Sequence, residues 1–241
     1  MELAEVVGQL VSLRRFPVEP LGGETPNEVA IRGAGAVGDR AFELAESDGG
    51  AALSWRTAPE LLLYAARYLE DLVTQDLENW ARVRLPGGRE FAISDPEWIA
   101  DVSRRLGRSV ALRPAAESGR EARAGRLHLV TRATVRFVDR VYGASVEPRF
   151  QRANFVVDLT GGKAFEEDEW IGRQIRIGDT LCDVVGPSRE CIAIPAGSEK
   201  PAGDVTMVEG LLKVRGGVVG LEVRVAKGQR IRVADPVAIV D

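Results

Sequence analysis

The side chains in this sequence best suited to chemistry are two cysteines, one histidine and a set of arginines placed among glycines and acids. A cysteine works as a nucleophile or a soft metal ligand only as the thiolate, so its surroundings decide its use. Cys182 lies inside the alternating run RQIRIGDTLCDVVG and reads as structural. Cys191 ends the turn-like stretch GPSREC, where it is either a small buried hydrophobe or a working thiol. The two form no C-x-x-C pair, so no disulfide framework is indicated. With one histidine beside them, they are also too few to ligate an iron–sulfur centre. His128, in LHLV, has no serine, cysteine or metal ligand at a working spacing and reads as a structural histidine. The acids of EEDEW read as a solvated turn ahead of Trp170, which reads as a core anchor.

A second chemical candidate is VAIRGAGAVGDRAF, where Gly33, Gly35 and Gly38 spell G-x-G-x-x-G behind an apolar run. A dinucleotide loop needs a helix of several turns after the last glycine. Here a helix would have to cross Ser47-Asp48-Gly49-Gly50 almost at once. The stretch DRAFELAE-SDGG-AALSWR reads instead as two short strands around a turn, and no nucleotide site is expected.

The elements that would position these residues are mostly strands. VVGQLVSLRRFPVEP and NEVAIRG read as strands, and WARVRLPGGREFAI as a hairpin around Pro86-Gly87-Gly88. PELLLYAARYLEDLV carries Leu61, Leu62, Ala65, Tyr68, Leu69 and Leu72 at helical spacing, which predicts a helix. Asp95 followed by Pro96 predicts a helix start, with Gly107 as its end, and SVALRP a strand. AAESGREARAGR, near 114–126, reads as a linker. Beyond it come the strand LHLV, a helix capped by Thr131 and closed by Gly143, and then the strands ANFVVD, RQIRIGDTLCDVVG and GGVVGLEVRVAKGQRIRVADPVAIVD. Short strands with glycine turns and few helices predict a mostly β, α+β fold ending in a closed barrel or sandwich.

Composition narrows the classes further. With 45% apolar and 28% charged residues over 241 positions, the chain has an ordinary globular composition and length enough for a large core. A net charge of −4 provides no footprint for a polyphosphate backbone, so nucleic acid is not an expected partner. No apolar run reaches the span of a bilayer, and no membrane partner is expected. The opening MELAEVVGQLVSLRRF puts acids ahead of its apolar part, the wrong order for a secretory signal. The expected location is a reducing cytoplasm.

Several stretches, in order along the chain, resemble the MOSC family, named for the C-terminal domain of molybdenum-cofactor sulfurase. The family includes the mitochondrial amidoxime-reducing component and bacterial hydroxylaminopurine-detoxifying proteins. SLRRFPVEPLGGE resembles the family's opening strand and turn, and GDRAFELAESDGGAALSWRTAPEL its G-D-R hairpin ending in an arginine and P-x-L. RANFVVD followed by FEEDEWIGRQIRIGD is similar to its arginine–asparagine strand and E-D-x-W segment. GPSREC resembles its cysteine turn, and KGQRIRVADPVAIV its closing strands.

The resemblance implies a β-rich N-terminal domain over 1–118 packed on a MOSC β-barrel over 119–241. It implies a molybdenum cofactor, with Cys191 as metal ligand and catalytic residue, and with Arg40, Arg152, Asn154 and Arg189 around the anionic pterin phosphate. The implied reaction is the two-electron reduction of an N-hydroxylated small molecule, with electrons from a separate electron-transfer protein. Two further readings stand beside it: a sulfur carrier using a Cys191 persulfide, and a non-catalytic binding barrel that has lost the cofactor. The motive for the last is that Glu19 and Pro20 stand where the family has lysine then serine, and Glu190 where it has arginine. AIPA at 193–196 also replaces the family's usual T-T-V-D.

Overall fold

A computed structural model describes residues 4–71, 77–115, 125–142, 152–188, 190–191, 215–216 and 218–240. The first half runs β1 (Glu5–Leu13), β2 (Val18–Glu19), β3 (Glu28–Arg32), β4 (Gly35–Ala36) and β5 (Phe42–Glu46). It continues with β6 (Ala65–Tyr68), the single turn α1 (Leu77–Trp80), β7 (Ala81–Arg84), β8 (Glu90–Ala92), α2 (Pro96–Leu106) and β9 (Val110–Pro114). The second half runs β10 (Arg126–Thr131), α3 (Arg132–Tyr142), β11 (Phe155–Leu159), β12 (Gln174–Ile177) and β13 (Thr180–Pro187). It ends with β14 (Leu221–Lys227), β15 (Arg230–Arg232) and β16 (Pro236–Val240).

Seven strands close a barrel in the order β1-β11-β10-β14-β13-β12-β16. Side chains alternate along each strand, so Ile175 and Ile177 fill the barrel while Gln174 and Arg176 face outward. Leu10, Leu129, Phe155, Val184, Leu221 and Val237 complete that interior. All neighbours run antiparallel except β10 and β11, which are parallel and joined through α3. The predicted cap of α3 is present, for Thr131 Oγ1 accepts from the Thr134 amide at 3.2 Å. Gly143 lies outside the described residues.

A second core forms around Trp98, Leu44, Leu61, Tyr64 and Val83, under the small sheets β2-β5-β9 and β6-β7-β8, while the third, β15-β3-β4, packs on the barrel core. Helix α2 begins where expected: the Asp95 side chain accepts from the Glu97 amide at 2.9 Å, and Trp98 and Val102, one turn apart, are buried. The hairpin around Pro86-Gly87-Gly88 pairs β7 with β8.

Two expected elements are different: of the second strand read in AALSWR only the isolated bridge of Ala52 to Ala45 forms, and a predicted helix is absent. The helix predicted over PELLLYAARYLEDLV is a 3-10 turn at Pro59–Leu63 followed by strand β6. Tyr64, Ala66 and Tyr68 are the buried residues there, a period of two, and β6 pairs with β7. The leucines matched a helical stripe, but the two tyrosines are better buried on a pleated face, and tertiary pairing overrides the local pattern.

The glycine motif makes a turn and no nucleotide loop. Gly35 and Ala36 pair back onto β3, and no helix follows Gly38. The Tyr68 ring packs on Gly38 and its hydroxyl donates to the Gly38 carbonyl at 3.0 Å.

The position of the expected boundary, 118/119, lies outside the described residues. The two halves interlock: β1, from the start of the chain, lies between β11 and β16 of the barrel, and β15, from the end, pairs with β3. No helix among the described residues is long and apolar enough to cross a membrane.

Candidate functional site

The site begins where β1 leaves the barrel. Phe16 follows that strand, and its carbonyl accepts from the Arg40 amide at 2.7 Å. This contact holds Arg40 at φ 48°, a left-handed conformation that a side chain adopts only when its surroundings enforce it. Arg40 reaches back over the Phe16 ring, 5.1 Å from guanidinium carbon to ring centre. Arg152, just ahead of β11, lies over the same ring at 4.6 Å. The two arginines expected from the sequence therefore meet, on one aromatic surface.

Glu19, on β2, lies between them. One carboxylate oxygen accepts from Arg40 Nε at 2.9 Å, the other from Arg152 Nη2 at 3.2 Å. Arg40 Nη1 also donates to the Asp39 carboxylate, and Arg152 Nη1 to the Leu21 carbonyl at 2.8 Å. Arg40 Nη2 and Arg152 Nε are buried and have no acceptor. Burial opposes the charge on Arg40, but the carboxylates of Asp39, Glu19 and Glu190 outweigh it and raise its pKa above the ordinary arginine value. Burial dominates at Arg152 and lowers its pKa, against the pull of Glu19.

Asn154 joins the group in a different capacity. Its Nδ2 donates to the Arg14 carbonyl at 3.2 Å and to Asp39 Oδ2 at 3.1 Å, while its Oδ1 accepts from the His128 amide at 3.1 Å. Both N–H groups of the amide are thus engaged within the protein, and Asn154 acts as a stitch between β1, β10 and the Asp39 turn.

Cys191 is joined to this cluster through its backbone: its carbonyl accepts from the amides of Arg152 at 2.7 Å and Ala153 at 3.1 Å. Its sulfur points away from the arginines, with the Ser188 side chain as a polar neighbour. The thiol is 0% exposed among Val130, Val135, Val138, Val156 and Val219. It donates to the Leu129 carbonyl at 3.3 Å and faces the Leu221 carbonyl at 3.9 Å. Gly220 closes the remaining side. At φ 80° its backbone already suits glycine, and a Cβ there would come 2.7 Å from the sulfur and 2.5 Å from the Leu129 oxygen. Burial pushes the thiol pKa up to about 12.

His128 was expected to be a structural histidine without a serine partner. It has one, for its Nδ1 lies 2.9 Å from Ser188 Oγ, which also accepts from the Glu190 amide at 3.0 Å. The imidazole pKa is well below the ordinary range, first through burial and then through Arg40 and Arg152. Its neutral ring ties β10 to the cysteine turn. On the rim, Glu190 accepts from Arg56 at 2.8 Å, and Arg56 stacks on Trp55 at 4.2 Å. Arg189 lies outside the described residues.

Arg40, Arg152 and Asn154 therefore converge, and Cys191 is bonded to them without presenting its sulfur to them. Glu19, Phe16 and the His128–Ser188 pair belong to the same cluster. The sequence flagged Glu19 only as a departure from the family pattern; the FPVE run beside GDR was the available signal for its pairing.

Among the described residues, the donor set does not fit the cofactor that the resemblance implies. A phosphate dianion needs surplus positive charge, yet Arg40 and Arg152 are matched by Glu19 and Asp39. A thiolate ligand needs a charge-accepting setting, yet two carbonyl oxygens face the sulfur and it donates its proton to one of them. No group of three or more His, Cys, Asp or Glu among the described residues is arranged to hold a metal ion.

One consequence is directly measurable. Cys182 is also fully buried, with its thiol pushed up to about 12 by burial. A buried thiol with a raised pKa favours the folded state until the unfolded thiols ionise, so this contribution is complete below the ordinary cysteine range and is lost as pH rises toward about 12. The native protein should therefore leave both cysteines unlabelled by iodoacetamide at neutral pH, and label at both once unfolded in urea. Fast native labelling at Cys191, read by mass spectrometry, would contradict the geometry.

Comparison with known proteins agrees with the barrel and the strands that lead into it. A model of the MOSC domain matches residues 118–238, and one of the MOSC N-terminal beta barrel domain matches residues 7–110. The crystal structure of the YuaD protein from Bacillus subtilis is 9% identical, with 100% of this chain and 99% of that one covered and a TM-score of 0.47. No curated protein matches this chain. With family models accounting for both halves, the chain belongs to the MOSC family.

Proposed function

We propose that this protein is a binding barrel of the MOSC family that works without a resident molybdenum cofactor and without redox chemistry at Cys191. The family is associated with that cofactor, so the reading rests on what is particular to this chain. The observation that carries it is the Glu19 carboxylate, which spans Arg40 and Arg152 from a position where the family pattern has a base. A phosphate entering the same space meets a resident anion. Charge-assisted hydrogen bonds of about 1.5–3 kcal/mol each would have to be exchanged rather than gained. The sulfur supports the same reading, for a neutral thiol sealed among valines has neither the charge to ligate a metal nor the access to carry a persulfide to an acceptor.

A second reading has one observation in its favour. Arg40 Nη2 and Arg152 Nε are buried donors without acceptors, and a bound phosphate would supply them. In that reading the protein is a molybdenum-dependent reductase of N-hydroxylated small molecules, served by a separate electron-transfer protein. Elemental analysis separates the two. Purified from a host that makes the cofactor, the protein is expected to carry no stoichiometric molybdenum. One molybdenum per chain, lost in Cys191→Ala, would establish the reductase reading instead.

A further inference from the structure

The solvent face of the sheet β6-β7-β8 carries more positive charge than its own packing uses. Ala66, Tyr68, Ala81 and Val83 are buried in the second core, so by alternation Ala65, Arg67, Arg82 and Arg84 share the outer face. Register places Arg67 directly opposite Arg82, and Arg84 opposite Glu90. Like charges directly opposite one another destabilise a strand pair. Glu90 relieves part of this, accepting from Arg67 Nε at 2.7 Å and from Nη2 at 2.8 Å. Those bonds, with the charges of Arg67, Arg82 and Arg84, hold its carboxyl below the ordinary range. One carboxylate thus serves three guanidinium groups, on a protein whose net charge is −4. Arg84 is exposed and makes no side-chain hydrogen bond or ion pair among the described residues.

The same face runs into a cavity of about 280 Å³ walled by Phe16, Leu62, Leu63 and Ala65, with Arg14 and Arg84 on its polar side. Ala65 and Arg84 are cross-strand partners, so the cavity opens beside the row of arginines. Glu24 borders it too, but its carboxylate is taken up by Arg15 Nε at 2.7 Å and by the Tyr68 amide at 3.1 Å. Pockets that enclose a whole small ligand run to about 300–1,000 Å³, so this one is sized for a single anchoring side chain.

We propose that this face docks an acidic segment of a partner protein, with its carboxylates along Arg67, Arg82 and Arg84 and one apolar side chain in the cavity. The partner's acids offset the repulsion between Arg67 and Arg82 that the sheet bears alone, and the cavity fixes where along the segment they fall. The cavity shares Phe16 with the crevice described above, but neither Arg40 nor Arg152 lines it. The inference therefore holds whether or not a cofactor occupies that crevice.

The probe is a fluorescein-labelled peptide of acidic residues around one leucine, titrated into the full chain at low salt and followed by anisotropy. The unaltered protein is expected to bind it, and to bind the same peptide with glycine for leucine about fivefold more weakly. The double variant Arg82→Glu, Arg84→Glu should weaken the leucine peptide at least about tenfold, because it sets like charges across the contact. Ala65→Leu, which fills the cavity and leaves the arginines alone, should lower the leucine peptide to the level of the glycine peptide. Should that variant fail to fold, the comparison of the two peptides on the unaltered protein still tests the anchor. Absence of binding by the unaltered protein would overturn the proposal, as would equal affinity for the two peptides or undiminished binding by the double variant. Binding to vesicles of phosphatidylglycerol without binding to the peptide would overturn it in favour of a membrane surface.

Discussion

Arg152→Ala is expected to lower the unfolding free energy by about 3–5 kcal/mol, the range for removing one partner of a buried charge pair. The loss has several parts. The guanidinium is fully buried, stacks on Phe16 at 4.6 Å, and donates to Leu21 and Glu19. Its removal deprives Glu19 of one of its cations and the Leu21 carbonyl of this donor, and leaves a gap next to the ring. Arg152→Lys keeps the charge but not the flat fork, and should recover less than half of the loss. Urea unfolding measures it through the midpoint at unchanged slope. A loss below about 1 kcal/mol would mean that the crevice relaxes around the missing cation and that the pairing drawn here contributes little to the fold.

Gly8→Ala should be comparably damaging for a purely steric reason. Gly8 lies in β1 where that strand changes register against β16, and it pairs with Leu159 of β11 on its other side. A Cβ there would be 3.1 Å from Asp158 C and from Leu159 Cα, and closer still to the Asp158 carbonyl oxygen. These are backbone atoms of the paired strand, so relief requires β1 to move off β11 and open the barrel. A loss of about 3 kcal/mol or more is expected, at the upper end of overpacking, with a fall in Tm of roughly 10 °C. A fall under about 3 °C would show that the seam is slack.

How much of this was legible in the sequence follows from which interactions are local. Asp95-Pro96, the Thr131 cap and the alternation in QIRI are decided within a turn or two, and the structure has them. The helix read over 59–73 failed because Tyr64, Ala66 and Tyr68 find their burial against β7, a partner the local pattern does not contain. At the site, the residue types were legible through the family resemblance, and Arg40, Arg152 and Asn154 do converge. What was not legible is orientation. Nothing in GPSREC states that the sulfur turns toward Leu129 while the carbonyl turns toward Arg152. Nor does LHLV reveal that Ser188 stands opposite His128, since that contact spans sixty positions and depends on the register of β10 against β14.

The placement of β1 between β11 and β16 has a consequence for biosynthesis. A ribosome makes Glu5–Leu13 long before Pro236–Val240, so for most of translation this nascent segment has edges with no neighbour to bond. Its charged and polar outward residues, Glu5 and Gln9, suit it to that wait, since such side chains discourage mispairing with other chains. The bonds between β1 and β16 can form only once Pro236–Val240 has been made.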